Sequence, residues 1–426
     1  MDYLLAIGME RSSSSRERKL LLSLSLVANL SLLCYFKYEN FFIASFIQAW
    51  PTLKYDASVD LLRVILPIGI SFYTFEAINY TVDVYRGRVR AERDLGKFML
   101  FITFFPHLIA GPIVRAKDFL PQIHRRKRWD WARLQLGAQF FLMGMFKKMA
   151  IADRMALYAD PVFADPAHYS TAAVWLATIA YALQIYCDFS GYTDMALGTA
   201  HMFGYKLAKN FNMPYLAANV SEFWRRWHIS LSSWLRDYLF IPLGGSRGSN
   251  WQTNRNLMAT MALGGLWHGA SWTFVVWGIL HGFMLIVHRV FQAFCKKHWR
   301  LDWLLQTIPG TAFRITLTFL CVCAGWVFFR ATTFGTAAMF FRRLFAIAPD
   351  SLAYSTAGLI APLHMRSLWY TVAVVALCHA LAQRGLWKSI AIRLPAPVLG
   401  CGYAMVLTLA LVLAPDQGKA FIYFQF

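Results

Sequence analysis

Long stretches without a charged side chain constrain this chain more than any other feature of its sequence. Residues 256–287 contain no Asp, Glu, Lys or Arg, and residues 20–36, 315–329, 367–383 and 394–414 share this character. Crossing a hydrocarbon core of about 30 Å takes roughly 20 apolar residues in a helix, and helices satisfy their own backbone groups in lipid. The runs predict an all-α polytopic integral membrane bundle with about ten membrane segments. They argue against a very apolar soluble enzyme.

The charged residues are few and mostly basic. Lys and Arg number 42 against 22 Asp and Glu, and clusters lie between apolar runs at Arg86–Arg93, His124–Arg128 and Arg289–Arg300. Cytoplasmic loops of membrane proteins carry excess Lys and Arg. We therefore expect these clusters to face the cytosol and to contact anionic lipid head groups. No nucleic-acid-binding motif accompanies them, so a nucleic-acid partner is not predicted.

The cysteine pattern indicates neither a structural disulfide nor a metal centre. There are seven, mostly in apolar runs, and no CxxC, Cys/His or HExxH spacing is present. We predict no structural disulfide and no metal site.

The chain shows no internal repeat and no linker of disordered composition, which predicts a single integral membrane domain over residues 1–426. Residues 1–19 do not resemble a signal peptide, because their short apolar part precedes the positive charges; an exposed start leading into the first span is expected. The hydrophobic pattern predicts helices over residues 19–37, 61–84, 95–114, 133–158, 172–203, 221–239, 255–268, 271–292, 311–330, 333–346, 367–384 and 397–414.

Glycine-containing breaks interrupt two of the apolar runs. Residues 256–287 are too long for one upright span, and we expect two helices joined near Gly269–Ser271. A second break is expected at Gly111 and Pro112. Non-helical backbone at membrane depth is tolerated where it lines a cavity or is buried in protein, so these breaks mark candidate sites.

Two histidines are the main candidates for chemistry. His268 lies inside the uncharged run beside the expected break, and His228 lies in the stretch 221–240, SEFWRRWHISLSSWLRDYLF. An ionisable group at such a depth is a functional-site candidate, although a helix–helix hydrogen bond or an interfacial helix would also explain it. Histidine suits proton transfer near neutral pH. His281 and His107 are weaker candidates, for which a packing role is equally open.

Several charged residues could bind substrate or stabilise an oxyanion, and for each a purely structural role is also open. Arg225 and Arg226 share a predicted helix with His228 and could instead be interfacial arginines. Asp188 and Asp194 could bind a polar substrate or form ion pairs within the bundle. Arg115, just after the Gly111–Pro112 break, could neutralise a phosphate or carboxylate or anchor the chain at the membrane interface.

Blocks along the chain together resemble the membrane-bound O-acyltransferase family, in particular its bacterial alginate O-acetyltransferase-like branch. The similarity runs from about residue 20 to the last residue. The blocks are LPIGISFYTFEAINYTVDVYRG (66–87), FFPHLIAGPIVR (104–115), YCDFSGYTDMALG (186–198), NFNMPYLAANVSEFWRRWHISLSSWLRDYLFIPLGGSRG (210–248), NLMATMALGGLWHGASWTFVVWGILHG (256–282) and FIYFQF (421–426).

The resemblance implies roles for the residues in these blocks. His268 of LWHG corresponds to the catalytic histidine, His228 of RRWH to the second active-site position, and Arg115 to the arginine after the Gly-Pro block. Trp267 precedes the catalytic position and joins the candidates for substrate binding. The resemblance also implies broken or re-entrant helices around a central chamber, and about two membrane segments that would precede residue 2.

The activity implied by the resemblance is acyl transfer across a membrane. An acyl group, expected to be acetyl, passes from a cytosolic thioester such as acetyl-CoA to hydroxyls of an extracytoplasmic polysaccharide, with periplasmic acetyl-transfer proteins as partners. No bound cofactor is expected, and the location is the bacterial inner membrane, which the chain crosses several times. The alternative is a non-catalytic transporter or scaffold component of a polysaccharide synthesis or export complex, since buried histidines and aspartates also suit proton relays.

Overall fold

The computed structural model describes residues 1–50, 66–109, 111–347, 369–377, 393–415 and 418–422. These parts of the chain are helical or irregular and contain no strand, which confirms the predicted all-α class. The helices are α1 Asp2–Arg11, α2 Ser15–Leu33, α3 Glu39–Ala49, α4 Ile70–Tyr85, α5 Leu95–Thr103, α6 Phe105–Leu108, α7 Ala116–Ile123, α8 Trp131–Phe146, α9 Asp153–Ala164, α10 Thr171–Met202, α11 Val220–Arg226, α12 Ile229–Leu235, α13 Asn250–His268, α14 Trp272–Cys295, α15 Trp299–Gln306, α16 Ile308–Arg330, α17 Phe334–Leu344 and α18 Ala396–Leu413.

Within the described residues, five helices are long and apolar enough to cross a membrane: Ser15–Ala49, Thr171–Met202, Trp272–Cys295, Ile308–Arg330 and Ala396–Leu413. The first joins α2 to α3 through a π-helical turn. The chain is thus a membrane protein, as predicted, while about ten segments and a single domain over residues 1–426 stay predictions. Residues 61–65, half of the predicted helix 367–384 and residues 423–426 lie outside the described residues; the described half of that helix, residues 369–377, is helical.

Both expected breaks are present. The first separates α13 from α14 at Gly269–Ser271, because Gly269 is extended and the Ser271 side chain caps α14. The second replaces the end of the predicted helix 95–114, where α5 and α6 are followed by irregular backbone over residues 111–115. Asn79 on α4 holds that backbone, since its amide donates to the Val114 carbonyl at 2.9 Å and its oxygen accepts from Ala116 N–H.

The expected exposed start over residues 1–19 is wrong for residues 2–11. They form α1, which buries Ala6 and Met9. Asp2 explains the docking, because its carboxylate accepts hydrogen bonds from Ser25 and Asn29 on α2. The exposed part begins after α1, in the serine-rich connection to α2.

Antiparallel packing of α2 against α4 gives the bundle two ends. Arg18 donates to the Tyr85 carbonyl at 2.6 Å, whereas Lys37 donates to the Ser71 hydroxyl at 3.2 Å. At 1.5 Å per helical residue, the two contacts are about 21 Å apart along α4 and about 28 Å apart along residues 18–37, which approaches the thickness of a hydrocarbon core. Tyr85 adjoins the basic residues 86–93, and His124 joins them through Glu92 at 2.7 Å. We call this end, with residues 86–93 and 124–128, the basic end.

Paired glycines bring α8 and α10 into close contact. A Cβ atom at Gly137 would lie 2.6 Å from the Gly198 carbonyl oxygen, and one at Gly198 would lie 2.5 Å from the Gly137 oxygen. About two helical turns away, Gly144 and Gly191 contact each other in the same reciprocal way. Small residues allow such close approach of membrane helices, so this interface holds α10 at a fixed distance from α8.

We predict that Gly137→Ala destabilises the chain by about 1–3 kcal/mol, because the added methyl group meets backbone that cannot move aside. Thermal unfolding of the detergent-solubilised protein measures the effect. Gly402→Ala is the matched control, since nothing lies within 4 Å of its Cβ position on helix α18; it should leave the midpoint unchanged or raise it slightly. Equal midpoints for the two variants would contradict the close contact.

Candidate active site

The predicted helix over residues 221–239 is wrong in one decisive place. The chain breaks between α11 and α12, where Trp227 is extended and His228 adopts a left-handed conformation with φ 41°. Arg225 and Arg226 therefore do not share one continuous helix with His228. The break occurs because residues 210–212 replace the helical hydrogen bonds: Asn212 N–H donates to the Arg226 carbonyl at 2.8 Å, and Ile229 N–H donates to the Asn210 carbonyl at 2.9 Å.

Asn210 also determines which nitrogen of His228 carries the proton. The Asn210 Oδ1 atom accepts from Ser230 N–H at 3.2 Å, and a backbone N–H can only donate, so this atom is the oxygen. His228 Nδ1 lies 3.1 Å from the same oxygen and must donate to it. The neutral ring then keeps its lone pair on Nε2. That atom is buried and has no hydrogen-bond partner among the described residues.

A chain of hydrogen bonds extends this arrangement to the second helix break. The Ser230 hydroxyl donates to Asn210 Oδ1 at 2.9 Å and accepts from Ile113 N–H at 3.0 Å. Ile113 belongs to the irregular backbone after Pro112. The break at His228, which the sequence did not predict, is therefore tied to the predicted break at Gly111–Pro112.

His268, the other main candidate of the sequence analysis, lies next to His228. It is the last residue of α13, and the centroids of the two imidazole rings are 6.4 Å apart. His228 is fully buried, and His268 is 4% exposed. The rings of Trp267, Trp277 and Phe329 lie 5.1–5.3 Å from His268. Trp267 also lies 6.1 Å from His228, so it contacts both candidate residues.

One cavity reaches His268 from the end of the bundle opposite to the basic end. Its volume is about 240 Å³, and its lining includes Lys37, residues 66–72, Trp267 and His268. Lys37 and Ser71 mark the far contact between α2 and α4, which places the cavity there. We call it the far cavity.

A second cavity reaches the neighbourhood of His228 from the basic end. Its volume is about 160 Å³, and Ser230, Lys206 and Lys209 contribute to its lining. Gln122, two residues before His124, also lines it and donates to the Lys206 carbonyl at 3.0 Å. We call it the basic cavity. The histidine pair thus lies between cavities that belong to opposite ends of the bundle.

Arg115 lines the basic cavity but already has an anionic partner. Its guanidinium lies 2.6 Å from the Asp237 carboxylate and over the Tyr238 ring. Burial alone would raise the pKa of Asp237, but hydrogen bonds from Arg236 and Arg115 outweigh burial and lower that pKa below its ordinary value. The carboxylate is therefore charged at neutral pH, and an incoming anion would have to share Arg115 with it.

The other charged candidates have partners away from the histidine pair. Asp188 pairs with Lys148 at 2.6 Å and Asp194 with Lys147 at 2.5 Å, so both carboxylates join α10 to the π-helical turn before α9. This favours the structural alternative that the sequence left open. A role for either in substrate binding stays a prediction.

The two arginines before His228 are also directed elsewhere. Arg226 pairs with Glu222 at 2.7 Å, and Arg225 is exposed. The structure does not bring either arginine to the histidine pair through any contact among the described residues, so their predicted oxyanion role lacks support.

The weaker histidine candidates are buried and lie in different surroundings. His107 Nδ1 is 3.0 Å from the Glu76 carboxylate. His281 packs between Trp224 and Trp277, at 5.2 and 4.8 Å between ring centroids, and so lies one aromatic ring away from His268. Both placements favour packing roles.

Asn210, Ser230 and Lys37 were not predicted to belong to the site. The only sequence signal for Lys37 is its position directly after the uncharged run 20–36, and Asn210 begins one of the blocks that carry the family resemblance. Among the described residues, no group of His, Cys, Asp or Glu side chains could hold a metal ion.

Comparison with known proteins supports the same reading of the chain. The model of the membrane-bound O-acyltransferase family matches residues 20–329. A probable alginate O-acetylase of Azotobacter vinelandii is 42% identical over 374 residues, which is 87% of this chain and 71% of the relative. A second, from Pseudomonas aeruginosa, is 44% identical over 78% of this chain and 61% of its own length.

A relative with a different acceptor is also similar. The peptidoglycan O-acetyltransferase of Helicobacter pylori is 38% identical over 79% of this chain and 66% of its own length. The chain thus spans about two thirds of the length of these relatives. The matches confirm the family and the enzyme class that the sequence blocks predicted: this chain belongs to the membrane-bound O-acyltransferase family.

Proposed function

We propose that this protein transfers an acyl group, acetyl, from a thioester at the cytosolic side of a membrane to a hydroxyl of an extracytoplasmic polysaccharide. The observation that carries the proposal is the buried pair His228 and His268, 6.4 Å apart between ring centroids, placed between cavities of opposite ends. The names of the relatives, alginate O-acetylase and peptidoglycan O-acetyltransferase, support a polysaccharide acceptor.

The charge of the basic cavity suits the proposed donor, and the size of the far cavity suits the proposed acceptor. Lys206 and Lys209 line the basic cavity, and lysines bind the phosphate groups that a donor such as acetyl-CoA carries. Excess Lys and Arg at this end agrees with a cytosolic orientation. The far cavity then receives the acceptor hydroxyl from outside. Its 240 Å³ is below the size of a drug-binding pocket, so it admits one sugar ring or side chain rather than a polymer.

The chemistry requires one proton acceptor and an oriented hydroxyl. His268 removes the hydroxyl proton, and the oxygen attacks the thioester carbonyl to form a tetrahedral intermediate. Collapse of this intermediate forms the ester and breaks the carbon–sulfur bond, and His268 returns its proton to the thiolate. The lone pair on His228 Nε2 accepts a hydrogen bond from a second hydroxyl of the acceptor and so orients it, because the single proton of the reacting hydroxyl goes to His268. In this tautomer Nε2 cannot donate a hydrogen bond to an oxyanion, so the role proposed for His228 is orientation of the acceptor.

The cellular setting follows from the same proposal. The chain lies in the bacterial inner membrane and crosses it several times, with the basic end in the cytosol. Periplasmic acetyl-transfer proteins carry the acetyl group from the far cavity to the polysaccharide, or the polysaccharide hydroxyl enters the cavity itself.

We predict that His268→Ala lowers O-acetylation of the surface polysaccharide by 100-fold or more, because general base catalysis contributes about 10²–10⁴-fold. The O-acetyl content is measured in cells that carry the wild-type protein, no protein or the variant at matched membrane levels. His298→Ala is the control, since His298 is exposed and its ring bonds, within the described residues, to the Phe294 carbonyl near the end of α14.

Wild-type acetylation with His268→Ala would refute the catalytic assignment. If acetylation were retained with His268→Ala but lost in cells without the protein, the result would favour a transport or scaffold role in polysaccharide export.

We predict that Asn210→Ala lowers the rate of acetyl transfer by about 5- to 100-fold, because it removes the bond that keeps the His228 proton on Nδ1. The rate is measured in membranes supplied with acetyl-CoA. Asn210→Asp keeps an acceptor oxygen and should retain more activity than Asn210→Ala. Asn212→Ala is the matched control, since this side chain lies on the same segment and, among the described residues, accepts its hydrogen bond from exposed Lys209. Equal rates for the two alanine variants would show that the bond from His228 Nδ1 to Asn210 does not affect acetyl transfer.

A further inference from the structure

Lys37 places an ammonium group beside His268 in the far cavity. Its Nζ atom donates to the Trp267 carbonyl at 2.7 Å, to the His268 carbonyl at 3.3 Å and to the Ser71 hydroxyl at 3.2 Å. It also lies 5.9 Å from the centroid of the Trp267 ring. One side chain of the π-helical turn between α2 and α3 thus joins α13, the helix that carries the proposed base, to α4.

The local helix geometry directs Lys37 inwards. Residues Cys34–Tyr38 form a π-helical turn inside the membrane-capable helix Ser15–Ala49. π-Helical turns are rare in proteins, and many of those that occur lie at functional sites. A lysine near the end of a membrane helix often extends along the lipid to reach water. Lys37 instead is half-buried and directs its donors to groups of the protein.

The end of α13 requires a partner of this kind. The last carbonyl groups of a helix have no partner within the helix, and α13 stops at His268 because Gly269 is extended. A cation there interacts favourably with the negative end of the helix dipole. Lys37 supplies the cation, and Tyr38 adds a neutral bond to the Leu266 carbonyl at 2.9 Å. The turn that carries His268 is therefore held by two adjacent residues, of which only Lys37 is charged and lines the cavity.

We propose that Lys37 is a positioning residue for His268. Its ammonium group holds the final turn of α13, keeps the imidazole beside His228 and supplies the positive charge of the far cavity. This inference rests on the acyl transfer proposed above. It predicts that activity depends on a cation at position 37, whereas loss of the neighbouring neutral bond matters little.

The test compares Lys37→Met, Lys37→Arg and Tyr38→Phe at matched membrane levels. Lys37→Met keeps the length of the side chain but loses the charge and its donors, and we expect O-acetyl incorporation to fall about 10- to 100-fold. Lys37→Arg restores a cationic donor and should stay within about threefold of wild type. Tyr38→Phe removes one hydrogen bond to the same turn and should change the rate by less than about twofold.

A second measurement is independent of activity. Hydrogen–deuterium exchange of the purified protein follows residues 264–271, and the final turn of α13 should exchange faster in Lys37→Met than in wild type or Lys37→Arg. Wild-type acetylation and wild-type exchange in Lys37→Met would overturn the proposal. Equal losses in Lys37→Met and Tyr38→Phe would also overturn it, because any bond to that turn would then suffice.

The two proposals can fail separately. If cells with and without the protein contain the same O-acetyl groups, the proposed acyl transfer is wrong, and exchange over residues 264–271 still decides whether Lys37 holds the turn. If His268→Ala abolishes acetylation while Lys37→Met leaves it intact, only the role of Lys37 is wrong.

Discussion

The hydrogen bonds between residues 210–212 and the backbone around His228 are the interaction on which the site depends. A continuous helix would satisfy the same backbone groups internally. The segment replaces those bonds, opens the helix at one residue and allows His228 to adopt its left-handed conformation. Asn210 then uses its side chain on the imidazole and on Ser230, and Ser230 supports the second break through Ile113. Local strain is thereby offset by a connected set of bonds.

The packing of the bundle positions the two histidines between its two ends. Close glycine contacts fix α10 against α8, and the hairpin of α13 and α14 turns back at His268 instead of continuing. The antiparallel pair α2 and α4 separates a basic end from a far end by about the thickness of a hydrocarbon core. Under the proposed function, the buried pair of histidines between these ends contacts a donor from one side of the membrane and an acceptor from the other.

Much of this organisation was predictable from particular residues. The uncharged runs require helices in lipid, Gly269–Ser271 and Gly111–Pro112 require breaks, and an isolated His268 at such depth indicates function. The stretch 221–239 was misjudged because its apolar spacing is typical of one helix. The bonds that break it come from residues 210–212, which pattern analysis of that stretch does not include. The same limit applies to α1, whose burial depends on contacts between Asp2 and α2.

By itself, the sequence determined the medium, the helical class and the family, and it singled out the two histidines as candidates, because hydropathy and block motifs are properties of the residues in order. Only the tertiary structure decided which polar groups meet. It paired Asp188 and Asp194 with lysines, gave Arg115 an anionic partner and brought Asn210 and Lys37 to the histidines. The physical reason is that a hydrogen bond or ion pair needs two groups within about 3 Å, and residues distant in sequence reach that separation only after the helices have packed.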